Sequence, residues 1–331
     1  MKIMVYEARP DERADLEKQA ALHGVELSVT DAVPTLENAS LAAGCIGVSI
    51  LGQGCIDAAL LDAYHALGIR YLSTRTIGYD HIDLDHARSI GLRVCSASYA
   101  PNGVADFTVM MILMCLRHYK QALWRGQVND ISLTGLQGRE MKDLTIGIIG
   151  TGRIGAQVAR NLSGFGCRIL AYDLRRNPAV EPQVTYVDFD TLLAQSDVIT
   201  LHMPLLDSNR HIINRESIAK MRDGVVIVNC SRGELADIEA LIEGIETGKI
   251  GALGMDTVEG DEGIIHADHR VDILPNRNWF YLHQFRNVIM TQHMAFYTDA
   301  AVSSMVDCGI GGICQMAAGE SCPTELTGPV Q

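Results

Sequence analysis

The 331-residue chain is short of positive charge: 27 Lys and Arg stand against 40 Asp and Glu, a formal net charge of −13 at pH 7. Nucleic acid and anionic membrane surfaces both select a basic face, so neither is the expected partner. An anionic small molecule remains compatible, because a few well-placed donors suffice to hold one. The chain also lacks any run of roughly 18 uninterrupted apolar residues, the length that spans a bilayer. Its N-terminus, MKIMVYEARPDE, turns acidic at Glu7 and Asp11 without an apolar stretch or a cleavage site, so it does not read as a signal peptide. Paired cysteines are missing too. The nine Cys, at 45, 55, 95, 115, 167, 230, 308, 314 and 322, are odd in number, scattered and free of any C-x-x-C spacing. That pattern suits free thiols in a reducing cytoplasm rather than a disulfide framework.

What is present is an ordinary core-forming composition, 47% hydrophobic and 20% charged. At roughly 100–200 residues per domain the length predicts two domains. Short apolar runs alternate with helical stretches. Lys2–Tyr6, Val25–Val29, Cys45–Leu51, Tyr71–Ser73 and the run from Gly91 read as strands, with helices at Asp11–His23 and Ile56–Leu67. A long apolar helix is expected from Pro101 to Trp124, as a strut between domains. The alternation then restarts at Leu144 and runs as a full series of strands and helices to His293, before a final helix at Thr298–Ala318. Strands separated by helices imply parallel sheets with crossover connections, hence an α/β fold.

Gly150-Thr151-Gly152-Arg153-Ile154-Gly155 is a G-x-G-x-x-G that follows an apolar strand and opens a helix. In that context the glycines allow a tight turn, close backbone approach to a pyrophosphate and close helix–strand packing. The helix start offers free N–H groups to phosphate oxygens. Asp173 ends the next strand, where an acid accepts the adenosine ribose hydroxyls and repels a 2′-phosphate, so the cofactor read here is NAD. Arg175 and Arg176 follow closely and weaken that preference. The bland alternative is a glycine-rich turn beside a surface aspartate.

Three further strand ends carry groups suited to reducing a 2-oxo acid. Arg232 in NCSRGEL has the planar fork that binds a carboxylate. Asp256 and Asp261 lie in MDTVEGDEG, and His293 in MTQHMAFYT is a candidate proton donor. Taken singly, Arg232 reads equally as a turn residue, His293 as a satisfied buried histidine, and the acids as a solvated loop. Their convergence at strand C-termini beside a dinucleotide motif favours chemistry. His266, His269 and His283 have no ligand spacing, and no metal is expected.

GTGRIG, LHMPL (201–205), NCSRG (229–233), MDTVEGDEG and TQHMAFYT (291–298) together resemble the D-specific 2-hydroxyacid dehydrogenases. The nearest branch is that of the D-lactate, vancomycin-type 2-oxoacid and (R)-2-hydroxyisocaproate or phenyllactate enzymes. The likeness runs from Met1 to about Val306. It implies that Arg232 binds and polarises the substrate, that His293 is the acid/base, and that a carboxylate five residues after Asp256 pairs with it. That position holds Asp261 where the family has glutamate; Glu259 and Glu262 are the neighbouring alternatives. Gln292 replaces the family's proline before the histidine. The likeness also assigns His202, Pro204, Cys230 and Asp256 to the nicotinamide end of NAD, and Ile77, Gly78, Tyr79, Tyr99 and Tyr297 to the substrate. It implies two Rossmann-like doubly wound domains. The substrate domain is discontinuous, residues 1–100 and 299–331, and the dinucleotide domain covers 101–298. A homodimer is implied as well.

The reading is therefore an NAD-dependent reductase of a small 2-oxo acid. The apolar segment Val48–Gly52 is taken as a pocket wall similar to that of branch members acting on phenyl- or isobutyl-bearing acids. The rivals are a methyltransferase on the same fold, which would not need Arg232 and His293, and a non-catalytic NAD-sensing protein such as the co-repressors that share this fold.

Overall fold

The computed structural model describes residues 1–261, 263–274 and 276–328. They form two compact units, one of Met1–Ala100 completed by the chain from Tyr297 onward, the other of Pro101–Phe296. In chain order the first unit contains β1 (Lys2–Val5), α1 (Arg13–His23), β2 (Glu26–Val29), β3 (Gly47–Ile50), α2 (Ala58–Ala66), β4 (Tyr71–Thr74), α3 (Leu84–Ser89) and β5 (Arg93–Cys95). The five strands are parallel in the order β2-β1-β3-β4-β5. This order reverses direction between β1 and β3, the switch point at which such sheets leave a crevice at their carboxyl ends.

The second unit contains α4 (Asn102–Leu116), α5 (Tyr119–Gly126), β6 (Thr145–Ile149), α6 (Arg153–Ser163), β7 (Arg168–Tyr172), β8 (Thr185–Tyr186), α7 (Phe189–Gln195) and β9 (Val198–Leu201). It continues with α8 (Arg215–Lys220), β10 (Val225–Asn229), α9 (Ile238–Glu246), β11 (Ile250–Met255), α10 (Arg277–His283) and β12 (Val288–Met290). Its seven parallel strands are ordered β12-β11-β10-β9-β6-β7-β8, with the switch point between β6 and β9. TIGII, VITL and VVIVN are almost wholly buried, as strands covered on both faces must be. The starts of α7, α8 and α9 are fixed by side-chain caps from Asp188, Asn214 and Asp237.

α11 (Asp299–Ala317) returns to the first unit and packs on its sheet and on α1. Close approach is what Gly47 permits: a Cβ there would meet Ile313 at 2.8 Å. By length and composition α11 is apolar enough to cross a membrane, but 56% of it is buried within the protein, the placement of a core helix. Under it, fully buried Arg75 donates to Glu12 at 3.0 Å, Ser49 at 3.2 Å and the Tyr6 carbonyl at 2.9 Å, so its charge is paired and saturated.

The expected single helix over 101–124 is two helices. The break comes where the Leu116 carbonyl accepts the Arg139 N–H at 3.0 Å and His118 turns left-handed (φ 50°). The returning chain passes so closely that a Cβ on Gly138 would lie 2.5 Å from that carbonyl. Lys120 then anchors α5 by donating to the carbonyls of His283, Phe285 and Val288 at 2.7–2.9 Å.

Candidate active site

The dinucleotide loop sits at the switch point of the seven-stranded sheet. Gly150 ends β6 at φ 94°, and a Cβ there would fall 2.5 Å from the His202 carbonyl at the end of neighbouring β9. Gly155, in the first turn of α6, would place a Cβ 1.9 Å from the Gly150 carbonyl, so helix and strand touch through it. Gly152 is different. A Cβ there would meet nothing within 4 Å, and as the residue before α6 it offers the helix no side-chain cap. The first turn, opening with Arg153 and Ile154, thus starts beside room at Gly152, and a helix start of this kind fits a pyrophosphate.

Asp173 follows β7 and is half-buried. One carboxylate oxygen accepts the Thr151 N–H at 2.6 Å and its hydroxyl at 3.1 Å; the other accepts the Arg175 N–H at 2.9 Å. Thr151 is also held by the Tyr186 hydroxyl at 2.8 Å, and its carbonyl by Asn177 Nδ2 at 2.8 Å. The guanidinium of Arg176 lies over the Tyr186 ring, 5.5 Å from its centroid. Asn177 and Tyr186 give no motif signal in the sequence, because their role is to brace Thr151.

His202 and Pro204 come after β9. His202 is half-buried, but its Nδ1 is shielded and has no partner among the described residues, while Nε2 shares a proton with the Thr200 hydroxyl at 3.0 Å. Burial pushes its imidazole down to about 3. Cys230, after β10, is buried, and that burial pushes its thiol well up, which makes it inert packing at the sheet end.

Arg232, the Asp256–Asp261 loop and His293 stand after β10, β11 and β12, three adjacent strands. The Arg232 turn is tied by Asn229, whose Nδ2 donates to the Arg232 carbonyl at 2.7 Å and whose Oδ1 accepts the Ser231 N–H at 3.0 Å. Gly233 lets this turn press on the next loop: a Cβ there would be 2.3 Å from the Val258 backbone. Buried Asp256 accepts the Thr291 hydroxyl at 2.5 Å, the Met294 N–H at 2.9 Å and the Ala295 N–H at 2.8 Å. Between these contacts His293 is held left-handed at φ 52°, a conformation costing a non-glycine residue about 1 kcal/mol or more. Asp256 is thus a clamp on the histidine turn.

Asp261 closes its own loop, accepting the Val258 N–H at 3.1 Å. Glu259 is engaged elsewhere, with His211 Nε2 at 2.6 Å and Arg210 at 3.5 Å. Glu262 lies outside the described residues.

In the first unit the candidate substrate residues again gather at a sheet edge. Ile77, Gly78 and Tyr79 come after β4, and the Thr76 hydroxyl donates to the Gly78 carbonyl at 2.6 Å. Tyr99 comes after β5 and is half-buried. Tyr297 begins the return segment, exposed, with the Arg9 guanidinium 5.2 Å above its ring. Two features depart from the sequence reading or escape it. Val48, Ile50 and Leu51, expected to wall a pocket, are buried in the core, leaving only Gly52 of that segment apart from it. Glu7, left-handed at φ 54° and buried, gathers the N–H groups of Leu51, Gly52 (2.8 Å), Gln53 (2.8 Å) and Gly54 (3.2 Å), fixing the loop after β3.

Comparison with known proteins supplies the family. The sequence model described as "D-isomer specific 2-hydroxyacid dehydrogenase, NAD binding domain" matches residues 109–295. An aromatic 2-oxoacid reductase of Clostridium sporogenes is 42% identical over 311 residues, 93% of each chain. The solved pyruvate reductase of Chlamydomonas reinhardtii is 34% identical with a TM-score of 0.90, covering 98% of both chains. A D-isomer-specific 2-hydroxyacid dehydrogenase of Lactobacillus delbrueckii, solved in its NAD-complexed form, is 31% identical with a TM-score of 0.84, covering 98% of this chain and 100% of that one.

Proposed function

The chain belongs to the D-isomer-specific 2-hydroxyacid dehydrogenases, NAD-dependent enzymes, and on that premise we propose that it reduces an aromatic 2-oxo acid to the (R)-2-hydroxy acid. Bound NADH supplies the hydride for C2. His293 gives a proton to the carbonyl oxygen as it becomes a hydroxyl, and takes it back in the reverse direction. Arg232 holds the substrate carboxylate and polarises the carbonyl with its fork. Asp261 orients His293 and favours its imidazolium. The Gly150–Gly155 loop takes the pyrophosphate, Asp173 the adenosine ribose, and His202, Pro204, Cys230 and Asp256 frame the nicotinamide end. Ile77, Gly78, Tyr79, Tyr99 and Tyr297 serve the substrate, so the discontinuous unit is the substrate domain.

The observation that carries this reading is the Asp256 clamp, which holds a strained histidine at one strand end with the arginine turn two strands away. The aromatic substrate is supported by the named activity of the 42% identical relative. A methyltransferase has no use for the histidine and arginine. The nine free thiols suit a reducing cytoplasm, and the exposed apolar side chains of Val128, Ile131 and Leu133 after α5 suit a homodimer.

The test is consumption of NADH with phenylpyruvate, 2-oxoisocaproate and pyruvate, then chiral analysis of the product. Phenylpyruvate is expected to give the highest kcat/KM and the (R) product. A preference for pyruvate would correct the substrate, and absence of turnover with all three would favour the NAD-sensing alternative.

A further inference from the structure

We infer that His266 is a positioning residue for His293, its imidazole holding the carbonyl of the histidine turn and so setting the aim of the acid/base ring. His266 lies in the loop between β11 and α10. Its Nε2 is 3.3 Å from the His293 carbonyl oxygen. The two rings are tilted against each other with centroids 6.1 Å apart. Phe296 stands edge-on to both, at 6.4 Å from His266 and 6.3 Å from His293.

Strain in the turn makes such a hold necessary. A non-glycine residue persists in the left-handed region only where its surroundings over-determine it, and His293 does so at φ 52°. Asp256 fixes the chain on both sides of the histidine, through the N–H groups of Met294 and Ala295 after it and the Thr291 hydroxyl before it. None of those bonds holds the peptide carbonyl of His293 itself. His266 does. An imidazole carries a donor at Nε2 both as the cation and in one neutral tautomer, so the hold does not require His266 to be charged. His266 is itself left-handed, at φ 63°, so its own backbone is bent to bring the ring over the turn. Fixing both the N–H groups and the carbonyl restrains rotation of the peptide plane after His293, and the direction of the ring depends on that plane.

This inference rests on the reading of His293 as the acid/base. Proton transfer is sensitive to displacements well under 1 Å, so loss of the carbonyl contact should reduce kcat by about tenfold. KM for NADH should stay in place, because the dinucleotide loop is built from β6, α6 and β7.

The experiment compares His266→Phe, which keeps a flat ring but removes the donor, with His266→Gln, which returns an N–H donor. For each, kcat, KM for the 2-oxo acid, the Kd for NADH by fluorescence titration and the Tm are measured, with His293→Ala run in parallel. The expected result is an approximately tenfold fall in kcat for His266→Phe, substantial recovery in His266→Gln, and unchanged Tm and NADH Kd in both. Wild-type kcat in His266→Phe, or an equal fall in both variants, overturns the proposal; so does a loss of kcat that only tracks a loss of Tm. If His293→Ala itself retains turnover, the acid/base reading fails. If His293→Ala is inactive while His266→Phe is unimpaired, the positioning role alone fails.

Discussion

At the scale of single residues, His202 and His293 both stand after strands of the same sheet, yet their surroundings suit them to different work. Burial drives the His202 imidazole down to about 3, so it stays neutral through any usable assay range and is a poor proton donor. His293 is the group proposed as the proton donor. His293→Ala should lower kcat by about 10²–10⁴ while NADH binding holds, the usual cost of losing a general acid. His202→Gln should leave both limbs of the pH profile of kcat/KM where they were. A moved limb in that variant would transfer the titrating role to His202. Asp173 invites a second measurement at this scale. Its carboxylate braces Thr151, and Arg176, one of the two nearby cations that could have welcomed a 2′-phosphate, lies over Tyr186. kcat/KM should favour NADH over NADPH by about tenfold or more, the order expected when two negative charges meet near a protein surface. Asp173→Asn should narrow the ratio.

Elements explain why the three glycines of the dinucleotide loop are not equivalent. Gly155 is needed by the protein itself: an added methyl would drive into the Gly150 carbonyl at 1.9 Å, backbone against backbone. Gly155→Ala should cost about 1–3 kcal/mol of stability and weaken NADH together. Gly152 faces open space at φ −63°, which any residue adopts. Gly152→Ala should keep the wild-type Tm and raise the Kd for NADH, since among the described residues beyond its chain neighbours an added methyl meets nothing within 4 Å, and a bound ligand would meet it. Calorimetry and fluorescence titration separate the two, and equal NADH affinity in Gly152→Ala would remove the pyrophosphate from this helix start. The motif was legible in the sequence because its requirements are local: a strand, three glycines and a helix start. The strand ends bearing Arg232 and His293 were legible from apolar runs. The break at Leu116–His118 was not, because its cause is a later segment, at Arg139, claiming the Leu116 carbonyl. Cys45–Leu51 was legible as a strand, but that Val48–Leu51 is buried rather than a pocket wall was not, since an apolar run looks the same in either place. Glu7 and His266 were invisible for a related reason: each acts on a backbone group far along the chain, and side-chain pattern does not report backbone hydrogen bonding.

For the whole molecule, one departure from an ordinary protein surface lies along α5 and the chain that follows it. Leu123 and Trp124 on α5 are more than half exposed, Val128 is 73% exposed, Leu133 84% and Ile131 90%. Single exposed apolar side chains are commonplace, but a run of them on one short stretch marks an interaction surface. The stretch is also ordered. Arg125 bonds Asp130 at 2.6 Å and the carbonyls of Ser132 and Thr134 at 3.2 and 2.7 Å, so the loop holds its apolar side chains outward instead of folding them in. In an acidic chain, with a net charge of −13, the least costly self-complementary contact is apolar, because like charges on two copies repel. A second copy of the chain is the partner this predicts. Sedimentation velocity on the wild type should give the dimer mass at micromolar concentration. Ile131→Asp with Leu133→Asp should give the monomer mass, since each places an unpaired charge in the buried contact. The variant should retain the NADH Kd, because the Gly150–Gly155 loop is built from other elements. A wild type that sediments as a monomer, or a double variant that stays dimeric, would show that the arm serves some contact other than self-association.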